Sequence, residues 1–182
     1  MNEFPKANSF DINLVCSKII GPNPLKLCEE LLCGADLAEG LPFEPYYFDA
    51  VVSVDSYNYF GRDPRYLGQK LLPYVKPGGK IYLSIPGMIR DCHDCLPECL
   101  LASWTPEQLE YMHDMQWWRA MIGKTQGVQI EDMHEMESTR EAWADWVACE
   151  NEYARGDRAA VNAGALDYLN TIAVTLLKKV RC

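Results

Sequence analysis

Residues 41–87 read LPFEPYYFDAVVSVDSYNYFGRDPRYLGQKLLPYVKPGGKIYLSIPG. Two apolar, β-branched runs stand out in it, residues 48–54 and 80–85, the first broken only by Asp49 and Ser53. Runs this continuous predict strands buried on both faces, as in a parallel sheet. Between them, Asp63-Pro64 opens a predicted helix carrying Leu67, Leu71, Leu72 and Val75, and Lys76-Pro77-Gly78-Gly79 stops it. Strand, helix and strand joined by short turns make a βαβ unit, for which a right-handed crossover is expected.

Upstream, Asn23-Pro24 predicts a helix over residues 24–32 that buries Leu25, Cys28, Leu31 and Leu32 and ends at Cys33-Gly34. Downstream, Thr105-Pro106-Glu107-Gln108 has the spacing of a capping box, and the helix it opens is expected to run to about Lys124. Residues 127–136 read as a strand. Ser138-Thr139-Arg140-Glu141 reads as a second capping box, opening a helix with Trp143, Trp146, Val147 and Cys149 that ends near Tyr153. Arg155-Gly156-Asp157 reads as a break before a helix over residues 158–169, and residues 171–177 as a final strand. The expected organisation is one domain: an N-terminal helical segment (1–34), a core (35–87), and helical lid insertions with the last strands (88–182).

The chain has 182 residues, 48% of them hydrophobic, enough for one domain with a sizeable core. Its net charge of −9 argues against a nucleic-acid partner, which needs a basic patch. No apolar run approaches the ~20 residues of a membrane helix, so no membrane partner is expected. Without a signal-peptide pattern, the eight cysteines are expected to be free thiols of a cytoplasmic protein.

The order of events in residues 35–87 resembles the class I S-adenosylmethionine-dependent methyltransferase family. The likeness rests on Ala35-Asp36 ahead of Leu41-Pro42-Phe43, on Phe48-Asp49-Ala50-Val51-Val52, and on Pro77-Gly78-Gly79 before the next strand. It implies an α/β, Rossmann-like, three-layer fold and S-adenosylmethionine as cofactor. It implies that Asp36, with Leu37 beside it, meets the adenine, and that Ser53 and Asp55 lie beside the methionine part. The family also has a glycine-rich turn after its first strand, where a side chain would block the cofactor. That turn is absent, because Leu32 runs through Cys33-Gly34 into Ala35-Asp36. By this comparison the first strands are missing. Two accounts stand: a segment is left out of the sequence, or the molecule lacks it. In the second case the strand around Val51 is an open apolar edge that invites a partner chain, with a homodimer as the candidate assembly.

Other residues are candidates by type and place. Asp55-Ser56-Tyr57-Asn58-Tyr59-Phe60 follows a strand at its C-terminal end, where parallel sheets hold ligands. Tyr57, Asn58 and Tyr59 are therefore candidate substrate contacts. Trp143 and Trp146 share a helix face, and Trp104 joins them as a candidate wall of an aromatic pocket, against core packing as the alternative. His113 is the candidate base on the lid helix, and a satisfied core histidine is the alternative. Cys92-His93-Asp94-Cys95-Leu96-Pro97-Glu98-Cys99 has a Cys-x-x-Cys spacing but no second ligand pair, so free thiols and no metal are expected, with zinc as the alternative. The expected function is methyl transfer to a small molecule. The alternative is a non-catalytic relative that pairs with a partner or a second copy through its sheet edge.

Overall fold

The computed structural model describes residues 43–180. Its frame is a four-stranded sheet in the order β1-β2-β4-β3, with β1 at Phe48–Val54, β2 at Val75–Met88, β3 at Val128–Glu135 and β4 at Leu169–Lys178. β1 and β2 are parallel, and β4 runs antiparallel to both β2 and β3. All four predicted strands from residue 48 onward are present. The predicted helix over residues 24–32, the junction at Leu32 to Ala35, and the candidates Asp36 and Leu37 lie outside the described residues.

The alternation of side chains selects one apolar face. Ile81, Leu83 and Ile85 of β2 stand opposite Leu176, Val174 and Ile172 of β4, and all six are buried. Val51, Val75, Val128 and Met133 continue this face. The opposite face carries Tyr82, Ser84, Ala173 and Thr175, which belong to neither hydrophobic cluster. The strands are thus less evenly apolar in their surroundings than the sequence implies.

After β1 the chain makes a short helix α1, Tyr57–Phe60. The helix predicted from Asp63-Pro64 is not a regular one. Asp63 Oδ1 accepts the Arg65 amide two residues on, at 2.9 Å, and holds a turn instead of a helix start. A π-helical turn at Leu67–Leu71 passes into a 3-10 turn at Leu72–Tyr74. Pro73 has no N–H to give an α-helical ladder, which accounts for the changed pitch. Leu67, Leu71 and Leu72 are nevertheless buried against the sheet as the pattern predicts. Pro77-Gly78-Gly79 forms a loop within β2: Phe48 pairs with Val75, but Ala50 pairs with Lys80. Gly78 has φ +79, and a Cβ on Gly79 would lie 2.7 Å from the Asp49 carbonyl oxygen, so both positions require glycine.

The long helix expected over 105–124 is two helices. A helix of one turn, Pro106–Leu109, has its capping box intact, with Thr105 Oγ1 accepting from Gln108 N and Gln108 Oε1 accepting from Thr105 N. The next, Met115–Gly123, starts afresh at Asp114, which caps Trp117 N at 2.8 Å. With Glu98–Leu101 as α2, these are α3 and α4. The break is imposed by β2, because the Met88 amide donates to the His113 carbonyl at 3.2 Å and Met88 bridges Asp114. Gly87 makes room for the crossing: a Cβ there would lie 2.7 Å from the His113 oxygen.

Helix α5, Thr139–Ala148, has Ser138 at its N-cap without a side-chain bond. The predicted box is replaced by Thr139, whose hydroxyl donates to the Met136 carbonyl and accepts the Thr171 amide. Arg155-Gly156-Asp157 does not break the chain. It lies inside α6, Glu152–Asn162, which is capped by Asn151 accepting from Ala154 N at 2.8 Å. A helical glycine costs only about 1 kcal/mol relative to alanine, and tertiary bonds hold this segment. Ser103 Oγ donates to the Gly156 carbonyl, and Arg158 donates to the Val147 and Cys149 carbonyls that end α5.

Trp143, Trp146, Met88, Leu100, Leu109, Ala160 and Leu169 form a second core cluster over the C-terminal ends of β1 and β2. The helical additions after β2 and β3 are therefore a cap on that end of the sheet. The cap is tied on by main-chain bonds, Ile89 N to Tyr168 O at 2.8 Å and Met136 N to Thr171 O at 2.8 Å. No helix among the described residues is long and apolar enough to cross a membrane.

Candidate functional site

The end of β1 lies beneath this cap. Asp55 leaves the strand with φ +49, in the left-handed region that aspartate tolerates better than most side chains. Its amide donates to the Ser84 carbonyl at 2.9 Å, which fixes the turn to β2. Ser53 and Ser56 hydroxyls meet at 2.9 Å beneath it. The Asp55 side chain is partly buried, and no described residue bonds its carboxylate or forms an ion pair with it. Burial, with the nearby Asp157 charge added, pushes its pKa up to about 7.

Asp157 comes from α6. Burial pushes its pKa up, opposed by hydrogen bonds from the indoles of Trp146, at 2.8 Å, and Trp104. Trp104 in turn stands edge-on to Trp143 at 5.8 Å. Tyr59, 56% exposed, lies at the mouth of the site. Desolvation, then the Asp55 charge, push its phenol pKa up. Its ring meets Tyr111 at 5.1 Å, and Arg62 lies over Tyr111 at 4.2 Å while donating to the Glu110 carbonyl. Two acids, Asp55 and Asp157, thus stand among Tyr59 and Trp104, with Tyr111 and Arg62 at the rim.

The sequence candidates divide accordingly. Asp55, Tyr59 and Trp104 come together at the strand end. Ser53, 8% exposed, supports the turn through Ser56. Tyr57 packs in the main core against Trp118 at 5.9 Å, so its ring serves the fold. Asn58 is 2% exposed, and its Oδ1 has no partner among the described residues. Trp143 and Trp146 are core residues, the alternative to a pocket wall, although the Trp146 N–H reaches Asp157.

His113 is 8% exposed and belongs to a different group. Its Nδ1 lies 3.0 Å from Asp91 Oδ2, while His93 Nδ1 lies 2.6 Å from Asp91 Oδ1. Burial opposes ionisation of Asp91, but the bonds from His113, His93 and the His93 amide together carry its pKa down to about 2. Burial likewise opposes charge on His93, and the Asp91 and Leu109 contacts outweigh it, raising the pKa. Among the described residues the three cysteines near by form no metal-sized group: the Cys95 amide closes a turn on the Cys92 carbonyl, Cys92 and Cys99 pack against the second core, and Cys95 is exposed. A cavity of about 700 Å³ lies at the other end of the sheet, lined by Tyr46, Leu72, Pro77 and Lys178, away from all these groups.

Sequence reasoning missed Asp91, Tyr111 and Asp157. Asp91 precedes the cysteine motif that drew attention to thiols. Asp157 sits in the Arg-Gly-Asp stretch read as a break.

No protein-family model matches the chain, and no curated protein does. Solved structures do. A candidate sarcosine dimethylglycine methyltransferase from Galdieria sulphuraria is similar at 16% identity and a TM-score of 0.55, over 76% of this chain and 56% of that one. A phosphoethanolamine N-methyltransferase of Haemonchus contortus, in complex with phosphomonomethylethanolamine and S-adenosylhomocysteine, is similar at 17% identity and a TM-score of 0.55, over 85% of this chain and 36% of that one. The [4+2]-cyclase SpnF is similar at 20% identity and a TM-score of 0.51, over 82% of this chain and 56% of that one. The chain has the Rossmann-like α/β fold of these proteins and spans 56%, 36% and 56% of their lengths.

Proposed function

We propose that this chain, with the fold of class I methyltransferases, takes part in methyl transfer from S-adenosylmethionine to a small molecule carrying a basic nitrogen. The observation that carries the reading is the Asp55 carboxyl: at the C-terminal end of β1, partly buried, pushed up to about 7, and without a cationic partner among the described residues. A buried acid without a partner is costly, and a cationic ligand removes that cost. Both the cofactor's methionine end and an ammonium acceptor carry positive charge. Two of the similar solved structures are named for amine substrates, which supports the same class.

The fit to the cofactor is one-sided. In this reading Ser53 and Asp55 line the side of the site that takes its methionine part. Asp36 and Leu37, expected at the adenine, are outside the described residues. When bound, the cofactor supplies an electrophilic methyl group for in-line displacement. The residues of this chain bind and orient the acceptor. Tyr59 and Trp104 supply aromatic surface to a cation. Asp55, half-ionised near neutrality, takes the proton that the nitrogen must lose before or as the N–CH3 bond forms. His113 is assigned no proton transfer to the acceptor, since its Nδ1 is held by Asp91.

Among the described residues β1 pairs on one side only, with β2. That observation favours a second reading, in which the edge of β1 binds a partner chain or a second copy and no reaction follows. Titration calorimetry with S-adenosylmethionine separates the two. Heat of binding, followed by transfer of labelled methyl to small amines, is the outcome the first reading expects. A chain that is folded yet silent in that titration sinks it and leaves the pairing reading, which sedimentation then tests.

A further inference from the structure

We propose that Asp91, His93 and His113 form a binding site for one divalent transition-metal ion of the zinc class, with an open side. The three residues come from two segments: the loop after β2, and the link between α3 and α4 that β2 pins in place. One ligand atom from each lies within 4.8 Å of the others. A tetrahedral ion with bonds of about 2.0–2.2 Å needs them about 3.4 Å apart, a side-chain adjustment and not a rearrangement.

The hydrogen-bond pattern points to a cation. His93 Nε2 lies 3.1 Å from the Leu109 carbonyl oxygen, which only accepts, so Nε2 carries the proton. Nδ1 of that ring then turns a lone pair toward Asp91 Oδ1 at 2.6 Å, and two acceptors cannot share that distance without positive charge. His113 presents its own Nδ1 to the other oxygen of the same carboxylate. A second proton on His93 makes that ring one imidazolium against the carboxylate, while His113 donates from a neutral Nδ1–H; that proton or a metal ion supplies the positive charge the contact needs. A single metal ion answers all three groups with both rings neutral.

The surroundings are those of an oriented ligand set. The Leu109 carbonyl takes the remote N–H of His93, an arrangement typical of metal-bound histidine. Trp117 lies parallel to the His113 ring at 3.8 Å and 11° and fixes its plane. Asp114 holds the Asp91 amide through Oδ2 at 3.3 Å and caps Trp117 through Oδ1. Two imidazoles and one carboxylate suit zinc and its neighbours in the first transition row, whereas magnesium and calcium prefer all-oxygen sets. The side chains of Asp91 and His93 keep 33% and 18% exposure, which leaves a coordination position facing outward. The nearby thiols are turned away: Cys92 Sγ sits 3.5 Å from Met88 Sδ, at the edge of the second core. This site is independent of the methyl-transfer reading.

Cobalt(II) titration of the full chain tests it, because its spectrum reports the ligand type. The expected result is one equivalent bound, with visible d–d bands and no near-ultraviolet thiolate charge-transfer band. Zinc should displace it and raise the melting temperature. Asp91→Asn and His93→Gln should each weaken binding at least about tenfold, while the triple variant Cys92→Ser, Cys95→Ser, Cys99→Ser leaves it unchanged. Circular dichroism of each variant verifies folding, and the wild-type spectrum stands even if one fails. A thiolate band overturns the proposal, as does a lack of stoichiometric binding or affinity that survives in both folded ligand variants.

Discussion

Replacing Asp55 with asparagine should stabilise the protein in a way that depends on pH. The carboxyl has its usual pKa of 3.8 in the unfolded chain and about 7 in the folded one. The folded state therefore holds this proton more tightly. Its contribution to stability is complete below pH 3.8 and drains away as pH rises to about 7. Each pH unit in that window is worth about 1.36 kcal/mol. Between pH 5 and pH 7 the wild type should thus lose about 2 kcal/mol through this one group, because the slope halves as pH reaches the folded pKa. Asparagine keeps the shape, tolerates the left-handed turn, and has no proton to release. The stability difference between variant and wild type, from urea unfolding at pH 5, 6, 7 and 8, should therefore widen by that amount and then level off. Other carboxyls cancel in the difference, apart from a small share from Asp157. A difference that stays flat across the series would mean that Asp55 is solvated with an ordinary pKa, and its role as the proton acceptor would go with it.

Three further substitutions probe the cap and the packing beneath it. Gly87→Ala sets a methyl group 2.7 Å from the His113 carbonyl oxygen and 2.8 Å from Ile172 Cδ1. It should cost about 1–3 kcal/mol in denaturant unfolding, and an unchanged midpoint would show that strand and link do not touch there. Trp146→Phe removes the 2.8 Å donor to Asp157. The variant should lose about 1–3 kcal/mol, and the Asp157 pKa should rise further, as followed by carboxyl NMR. Thr105→Ala breaks the capping box of α3 and should cost about 1 kcal/mol by thermal or urea melts; no loss would mean that α3 is held by Leu109 alone.

The sheet was legible because strand burial is written locally. Residues 48–54 and 80–85 carry it in consecutive apolar side chains, and the register then pairs Ile81, Leu83 and Ile85 with their counterparts on β4. The place of Asp55 at the strand end was legible for the same reason, since it follows such a run. The helical additions were less so. Residues 105–124 have one unbroken helical pattern, and the force that cuts it at His113 is an amide of Met88, remote in sequence. Arg155-Gly156-Asp157 has the composition of a break, yet Ser103, Trp146 and Arg158 hold it helical from outside. The Asp91 cluster was hidden by chemistry: the thiols on either side of His93 have a metal-ligand spacing, while the acid beside them acquires His113 only through the fold.

The main-chain ties between cap and sheet limit how a ligand could enter. Ile89 to Tyr168 and Met136 to Thr171 act as rivets, and Met88 to His113 is a third close by. These bonds fix the roots of the cap where the chain leaves the strands. Access to Asp55 must come by smaller movements at its rim, where Tyr59 and Tyr111 meet and Arg62 rests on the second ring. Exchange at that site would then follow side-chain rotation at the rim, and its rate would leave the protection of the Met88, Ile89 and Met136 amides untouched.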